Sequence, residues 1–240
     1  MSTRIKLLCA WSGPALAAVA SVGFLLAGLL PLPPGAYLQP ARIAAYYTTS
    51  PTLTLAGFAL ASVAMGLIFP LVALIAVHMV RMEGRVPLLS FLQLATGTAT
   101  GILLTVPMIM MGVCAFRPDR DPELIQLLND LAWLLFITPI APFCLQNVAI
   151  ALAVLHDRNP EPVLPRWVAY VNLWVAFLFL PSVLPWFFHR GPFAWQGIFV
   201  FWLAFVAYAT WLLVMGLVLR RAVLRDAEAA AAVPSGVAAS

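Results

Sequence analysis

The chain reads as an all-α integral membrane protein, a bundle of six transmembrane helices with N- and C-termini cytoplasmic. Three observations predict this. Of the 240 residues, 63% are hydrophobic and 9% charged, and the mean hydropathy is +0.99; a water-soluble domain of that length could not bury so much apolar surface. Six apolar stretches, at about 11–30, 53–80, 88–116, 131–155, 167–188 and 193–219, are each long enough to cross a hydrocarbon core about 30 Å thick. Lysines and arginines are unevenly shared between the connecting segments. With the N-terminus inside, nine fall on the inner side (Arg4, Lys6, Arg81, Arg85, Arg158, Arg166, Arg220, Arg221 and Arg225) and four outside (Arg42, Arg117, Arg120 and Arg190). Residues 1–225 form one six-helix domain on this reading, and 226–240 a flexible cytoplasmic tail.

The first apolar region, from Leu7 to Leu32, exceeds the roughly 7–15 residues of a secretory signal core, so it is expected to stay as the first helix. The outer loop that follows, PLPPGAYLQPARIAAYYTTSP, begins extended because of its prolines. Residues 41–48 can form a short surface helix with Tyr46 and Tyr47 as interface anchors. In the third helix, Gly97 and Gly101 make a GxxxG pair that lets two backbones approach closely. Pro70, Pro107, Pro139, Pro142, Pro181 and Pro185 each remove a backbone hydrogen bond within an apolar stretch and tend to kink it. Broken helices occur where transporters bind substrate, although proline is also ordinary in membrane helices. A weak internal echo relates 86–107 to 164–185: both begin at a proline and reach a second one after the same interval, with Gln93 and Asn172 at similar depth. His189 to Pro192 reads as a tight outer turn, with Pro192 suited to a first helical position.

The segment from Phe116 to Asp157 organises the chain. Asp121 can cap a helix that opens with Pro122, and Glu123 sets negative charge against the positive end of the helix dipole. A continuous helix from there to Leu155 would be about 50 Å long at roughly 1.5 Å per residue, so its first turns should stand at or above the surface. Gln126, Asp130, Trp133, Ile137, Ile140, Cys144 and Asn147 step by four and three and share a face. Polar groups in lipid are costly, so that face is expected to look into the bundle.

Two polar sets follow. Arg117, Arg120, Gln126, Asn129, Asp130 and Trp133 lie at the same expected depth as His189 and Arg190. They can form a polar, aromatic-lined mouth for a solute or lipid headgroup; the plainer reading is a solvated loop with ion pairs and an aromatic belt. Asp130 lies a turn into the span and calls for a partner such as Arg117, Arg120, Arg190 or a wet cavity. Nearer the cytoplasm, Gln93, Gln146, Asn147 and Asn172 either join neighbouring helices through amide hydrogen bonds or line the floor of a solute site.

Other chemistry lacks a signature. The net charge of +4 comes without a basic cluster dense enough to follow phosphates, which argues against nucleic acid as a partner. Cys9, Cys114 and Cys144 have no CxxC spacing and read as small buried hydrophobes. The sparse histidines, His78, His156 and His189, form no HxxxH or HExxH motif, so no metal or cofactor is expected. The runs NDLAW (129–133), PRWVAYVNLW (165–174) and GPFAW (191–195) resemble motifs in a group of uncharacterised bacterial multi-pass membrane proteins. That resemblance implies a bacterial plasma (inner) membrane and carries no activity.

The functional expectation is a protein that binds or passes a small or lipophilic solute through a polar and aromatic cleft open to the outer side. One alternative is a non-catalytic subunit of a membrane complex, sensitive to changes at Gly97 and Gly101. The other is an enzyme acting on a lipid or terpenoid, with Asp130 as acid or base. The partners expected are the lipid bilayer, a small-molecule or lipid ligand, and another membrane protein or a second copy of the chain.

Overall fold

The computed structural model describes residues 2–232, and no strand occurs among the described residues. Six helical segments are long and apolar enough to cross a membrane: Thr3–Leu26, Pro51–Glu83, Leu88–Phe116, Pro122–His156, Trp167–Trp186 and Ile198–Ala232. The first is α1 (Thr3–Leu26), which a short helix α2 (Pro40–Thr48) follows. The second contains α3 (Pro51–Met65) and α4 (Ile68–Glu83), and the third is α5 (Leu88–Phe116). The fourth contains α6 (Pro122–Ile137) and α7 (Ala141–His156). The fifth is α8 (Trp167–Leu178), continuing as a 3₁₀ turn over Leu180–Trp186. The sixth opens with a π turn over Ile198–Trp202 and runs on as α9 (Leu203–Ala232).

Local chemistry starts these helices where it should. The Ser2 hydroxyl accepts from the Arg4 amide, and the Asp121 carboxylate from the Glu123 amide, each satisfying a free donor of a first turn. Glu83, the last residue of α4, caps the next helix: its carboxylate accepts from the amides of Leu89 and Ser90, both at 2.7 Å, and from the Ser90 hydroxyl. Between them, Gly84 takes φ 75°, a left-handed backbone that glycine adopts without strain.

Prolines set the helix breaks. A proline ring crowds the carbonyl four residues earlier. Pro70 acts on Gly66, where α3 ends; Pro142 acts on Thr138, where α6 ends; Pro181 acts on Phe177, next to the end of α8. The continuous helix expected from Pro122 to Leu155 is therefore two helices. Pro107 behaves differently, since α5 runs through it without interruption. The echo between 86–107 and 164–185 thus does not extend to the backbone.

Two other expectations change. The sixth segment begins at Ile198, not 193: residues 192–197 are folded into turns, with the Phe199 amide bonded back to the Pro192 carbonyl at 3.1 Å. At the other end α9 continues to Ala232, so 226–232 of the expected tail are helical, while 233–240 lie outside the described residues.

The bundle is a ring. Helices α1, α3, α5, α7, α8 and α9 are neighbours in that order, and α9 closes back on α1. Helix α4 occupies the middle of the ring at the end that carries both termini, touching α1, α5, α7 and α9 and burying Leu71, Val72, Leu74, Ile75 and Met79. Small residues allow the close crossings. A Cβ on Gly57 would stand 2.3 Å from the Ala27 amide nitrogen and 2.6 Å from the Gly23 carbonyl, so α1 and α3 meet backbone to backbone. Gly97 and Gly101 serve the same purpose within the chain: their missing side chains make room for Val72, Ile68 and Phe69.

Candidate functional site

At the α2 end the chain closes over itself. The Trp133 indole is fully buried and stacks on Trp195 with centroids 5.9 Å apart and planes 7° from parallel. Trp195 donates its Nε1 hydrogen to the Pro34 carbonyl at 2.9 Å, and Gln196 Oε1 accepts from the Ala36 amide at 3.2 Å. From α6, Gln126 Nε2 donates to the Leu38 carbonyl at 3.1 Å. The proline-rich stretch 34–38 is thereby strapped across the end of the bundle.

Beneath the strap, the buried Asn129 accepts from the Tyr47 hydroxyl at 2.8 Å and donates to Asp130 Oδ1 at 3.2 Å. The Tyr46 hydroxyl donates to the Ala27 carbonyl at 2.6 Å. Both tyrosines face the bundle, not the membrane interface, because each hydroxyl finds an inward partner. Burial pushes both phenols above their ordinary pKa.

The expected mouth therefore divides. Gln126, Asn129, Asp130 and Trp133 come together under or beside the strap. Arg117, His189 and Arg190 remain exposed. Arg120 donates to the Val113 carbonyl at 2.9 Å, and the Arg190 guanidinium lies 5.4 Å above the Tyr37 ring. None of these arginines pairs with Asp130; the ion pair recorded among the described residues joins Arg81 to Asp226 at the opposite end.

The deeper amides also separate. Asn172 accepts from Trp211 Nε1 at 2.9 Å and donates to the Val168 carbonyl at 2.8 Å, joining α8 to α9. Gln93 reaches the Val72 carbonyl at 3.4 Å, and Asn147 donates to the Phe143 carbonyl at 2.8 Å. Gln146 lies beside Gly97, with its Nε2 2.9 Å from the point where a Cβ would stand. Gln93 Oε1, Gln146 Nε2 and Asn147 Oδ1 are buried without a partner among the described residues.

Between these layers lies a cavity of about 110 Å³. Its walls are Leu16, Ala20 and Phe24 of α1, Phe136 to Phe143 across the α6–α7 break, Phe179 and Ser182 of the fifth segment, and Phe201 to Tyr208 of the sixth. Four backbone irregularities border it: Met65 at the end of α3, Pro139 between α6 and α7, Phe179 at the end of α8, and Phe201 in the π turn. Irregular backbone is tolerated at membrane depth where it is buried in protein or lines a cavity, and π turns recur at functional sites.

The aromatic residues tie the layers together. Trp133 meets the lining through Phe136 and Phe201, at 6.2 and 5.9 Å between centroids, so the Trp133–Trp195 stack is the roof. Phe143 meets Trp211 at 5.3 Å, and Trp211 is bonded to Asn172, so the floor is anchored to the amide layer. Polar groups are few in the walls. Ser21 and Thr100 donate to their own helices at the Ala17 and Thr96 carbonyls. The Tyr208 hydroxyl is buried and has no partner among the described residues.

Sequence reasoning missed Phe136, Phe179, Phe201 and Tyr208. The prolines carried a usable signal, since three of the four irregularities that border the cavity follow from Pro70, Pro142 and Pro181 acting four residues upstream, and the π turn has no such mark. The aromatic lining carried none, because apolar side chains facing lipid and facing a void look alike in an apolar run.

Fold and cavity together define an all-helical chain with six membrane-length helices around an internal apolar chamber. Comparison with known proteins finds no matching family model, no matching curated protein and no matching solved structure.

Proposed function

We propose that the protein is a multi-pass membrane protein with both termini cytoplasmic, and that it binds or passes a small lipophilic solute through the cavity described above. The observation that carries this reading is the convergence of four helix irregularities on one apolar chamber. Discontinuous helices at mid-membrane depth are a recurrent way of building solute sites. The volume of about 110 Å³ approaches the roughly 150 Å³ of an engineered apolar cavity that stays dry and takes up benzene. A group the size of one ring therefore fits.

The route follows from roof and floor. The strap and the Trp133–Trp195 stack obstruct a path from the outer water, and α4 with the buried amides of α5, α7 and α8 obstructs one from the cytoplasm. A solute dissolved in the bilayer would arrive sideways. The fifth and sixth segments are the most sparsely packed neighbouring pair in the ring, which supports access between them. Asp130, Asn129, Gln126 and Trp133 then act as the frame of the roof, while Asn172 holds the two helices on either side of the access seam through Trp211.

The test is extraction in a native-lipid particle followed by mass spectrometry of bound small molecules. A lipophile retained by the wild type and lost from Ala20→Phe and Ala204→Phe, both of which fill the chamber, is the expected result. Equal retention in all three proteins, or none in the wild type, overturns the reading.

A further inference from the structure

We infer that the Tyr208 hydroxyl is the polar anchor of the cavity and that the ligand is an uncharged, mostly hydrocarbon molecule carrying one hydrogen-bonding oxygen. This deepens the proposed function and rests on it.

Four observations lead here. The Tyr208 hydroxyl is buried and unpartnered among the described residues, and its ring lines the chamber. A hydroxyl withdrawn from water without a partner is unfavourable by about 1–3 kcal/mol on protein mutational scales, so buried hydroxyls are normally bonded. Of the other wall hydroxyls, Ser21 and Thr100 are already committed to helix carbonyls, and Ser182 makes no side-chain hydrogen bond among the described residues. The Tyr208 ring is held in place by the Phe143 edge at 5.2 Å and by stacking on Trp211 at 5.9 Å, so it is packed on two sides. Tyr208 is also ten residues beyond Ile198, the start of the sixth segment, which is about 15 Å of helix and half the thickness of a hydrocarbon core.

The chemistry of the walls limits the ligand. No arginine, lysine, aspartate or glutamate lines the chamber, so a charged headgroup would be left uncompensated in a dry site. One oxygen satisfies the buried Tyr208 hydroxyl; each further polar group would need a partner that the walls, the Ser182 hydroxyl apart, do not offer. A neutral ring or branched hydrocarbon with one hydroxyl or carbonyl meets both conditions.

The experiment uses the full chain in lipid nanodiscs and two matched probes, 4-propylphenol and propylbenzene, titrated against wild type, Tyr208→Phe and Ala20→Phe. Comparing each probe across the three proteins cancels its partition into the bilayer. Wild type should bind the phenol more tightly than Tyr208→Phe does by roughly two- to twelvefold, the range expected of one net hydrogen bond. Propylbenzene should bind wild type and Tyr208→Phe alike, and Ala20→Phe should bind neither probe. If the phenol binds wild type and Tyr208→Phe equally, as it would were the hydroxyl held by a fixed water, the anchor is wrong while the chamber stands. If neither probe binds wild type in a way that Ala20→Phe abolishes, the chamber is not a binding site and the proposed function fails with it.

Discussion

Tyr47 shows how much one side chain can depend on its surroundings. Its phenol donates to Asn129 inside the bundle, and burial raises its pKa well above the ordinary value of 10.0. A buried phenol with a raised pKa keeps its proton when the unfolded chain would already release it. Its contribution to stability is therefore complete below about pH 10 and is lost as the pH climbs beyond that, because the unfolded state then binds fewer protons than the folded one. Wild-type protein should lose thermal stability steeply above pH 10, and Tyr47→Phe should flatten that loss in a melting-temperature series against pH. At neutral pH the same variant should be less stable by roughly 1–3 kcal/mol, since Asn129 Oδ1 is left buried and unbonded. Trp133→Ala acts on the roof directly. The ring is fully buried between Trp195, Phe136 and Phe201, and its removal should lower stability by about 3–5 kcal/mol. A Trp133→Ala protein that melts with wild type would show that the roof is not packed as described. Little of this was legible beforehand. Asn129 and Trp133 announce themselves as polar and aromatic residues at the start of an apolar run, but their partners Tyr47 and Trp195 come from segments that read as surface helix and interfacial belt.

Elements are where sequence and structure agree best. Six membrane-length apolar segments emerge from hydropathy alone because a helix that is to cross a bilayer must be apolar over its whole thickness, a constraint no tertiary contact can relax. The breaks were only half legible. Pro70, Pro142 and Pro181 interrupt their helices, whereas Pro107 does not, and the residue type alone does not mark the difference. Crossings depend on tertiary contact too. Gly57 sits so close to α1 that a Cβ would lie 2.3 Å from a backbone nitrogen, so Gly57→Ala must push two helices apart. Overpacking of that kind typically lowers stability by about 1–3 kcal/mol. Gly112 on α5 is a control, since the nearest neighbour to its added Cβ is 3.7 Å away. Gly57→Ala should melt well below wild type and Gly112→Ala close to it. Similar melting points for the two would contradict the backbone contact between α1 and α3.

For the whole molecule, orientation and interior follow from different parts of the sequence. Orientation rests on the excess of arginine and lysine at one end. At that end the Arg81–Asp226 ion pair forms and Arg225 donates to the Pro162 and Val163 carbonyls. The chamber rests on something hydropathy cannot register, namely which apolar face of each helix turns inward and where four interrupted helices fail to fill the space they enclose. Orientation and chamber make a joint prediction. Alkaline phosphatase, active only outside the cytoplasm, should be active when fused after Arg120 or Arg190 and inactive when fused after Arg85, Arg158 or Arg225. With that polarity, the strap and its Trp133–Trp195 stack face outward. A membrane-impermeant reagent should then label Tyr37→Cys, which is exposed at the α2 end, and spare Ala209→Cys, which lines the chamber. A membrane-permeant maleimide delivered through the lipid should modify Ala209→Cys, and the phenol probe should slow that modification. Labelling of Ala209→Cys by the impermeant reagent would mean that the roof or the floor is open to water, and the solute path would then run along the bundle axis instead of through its wall.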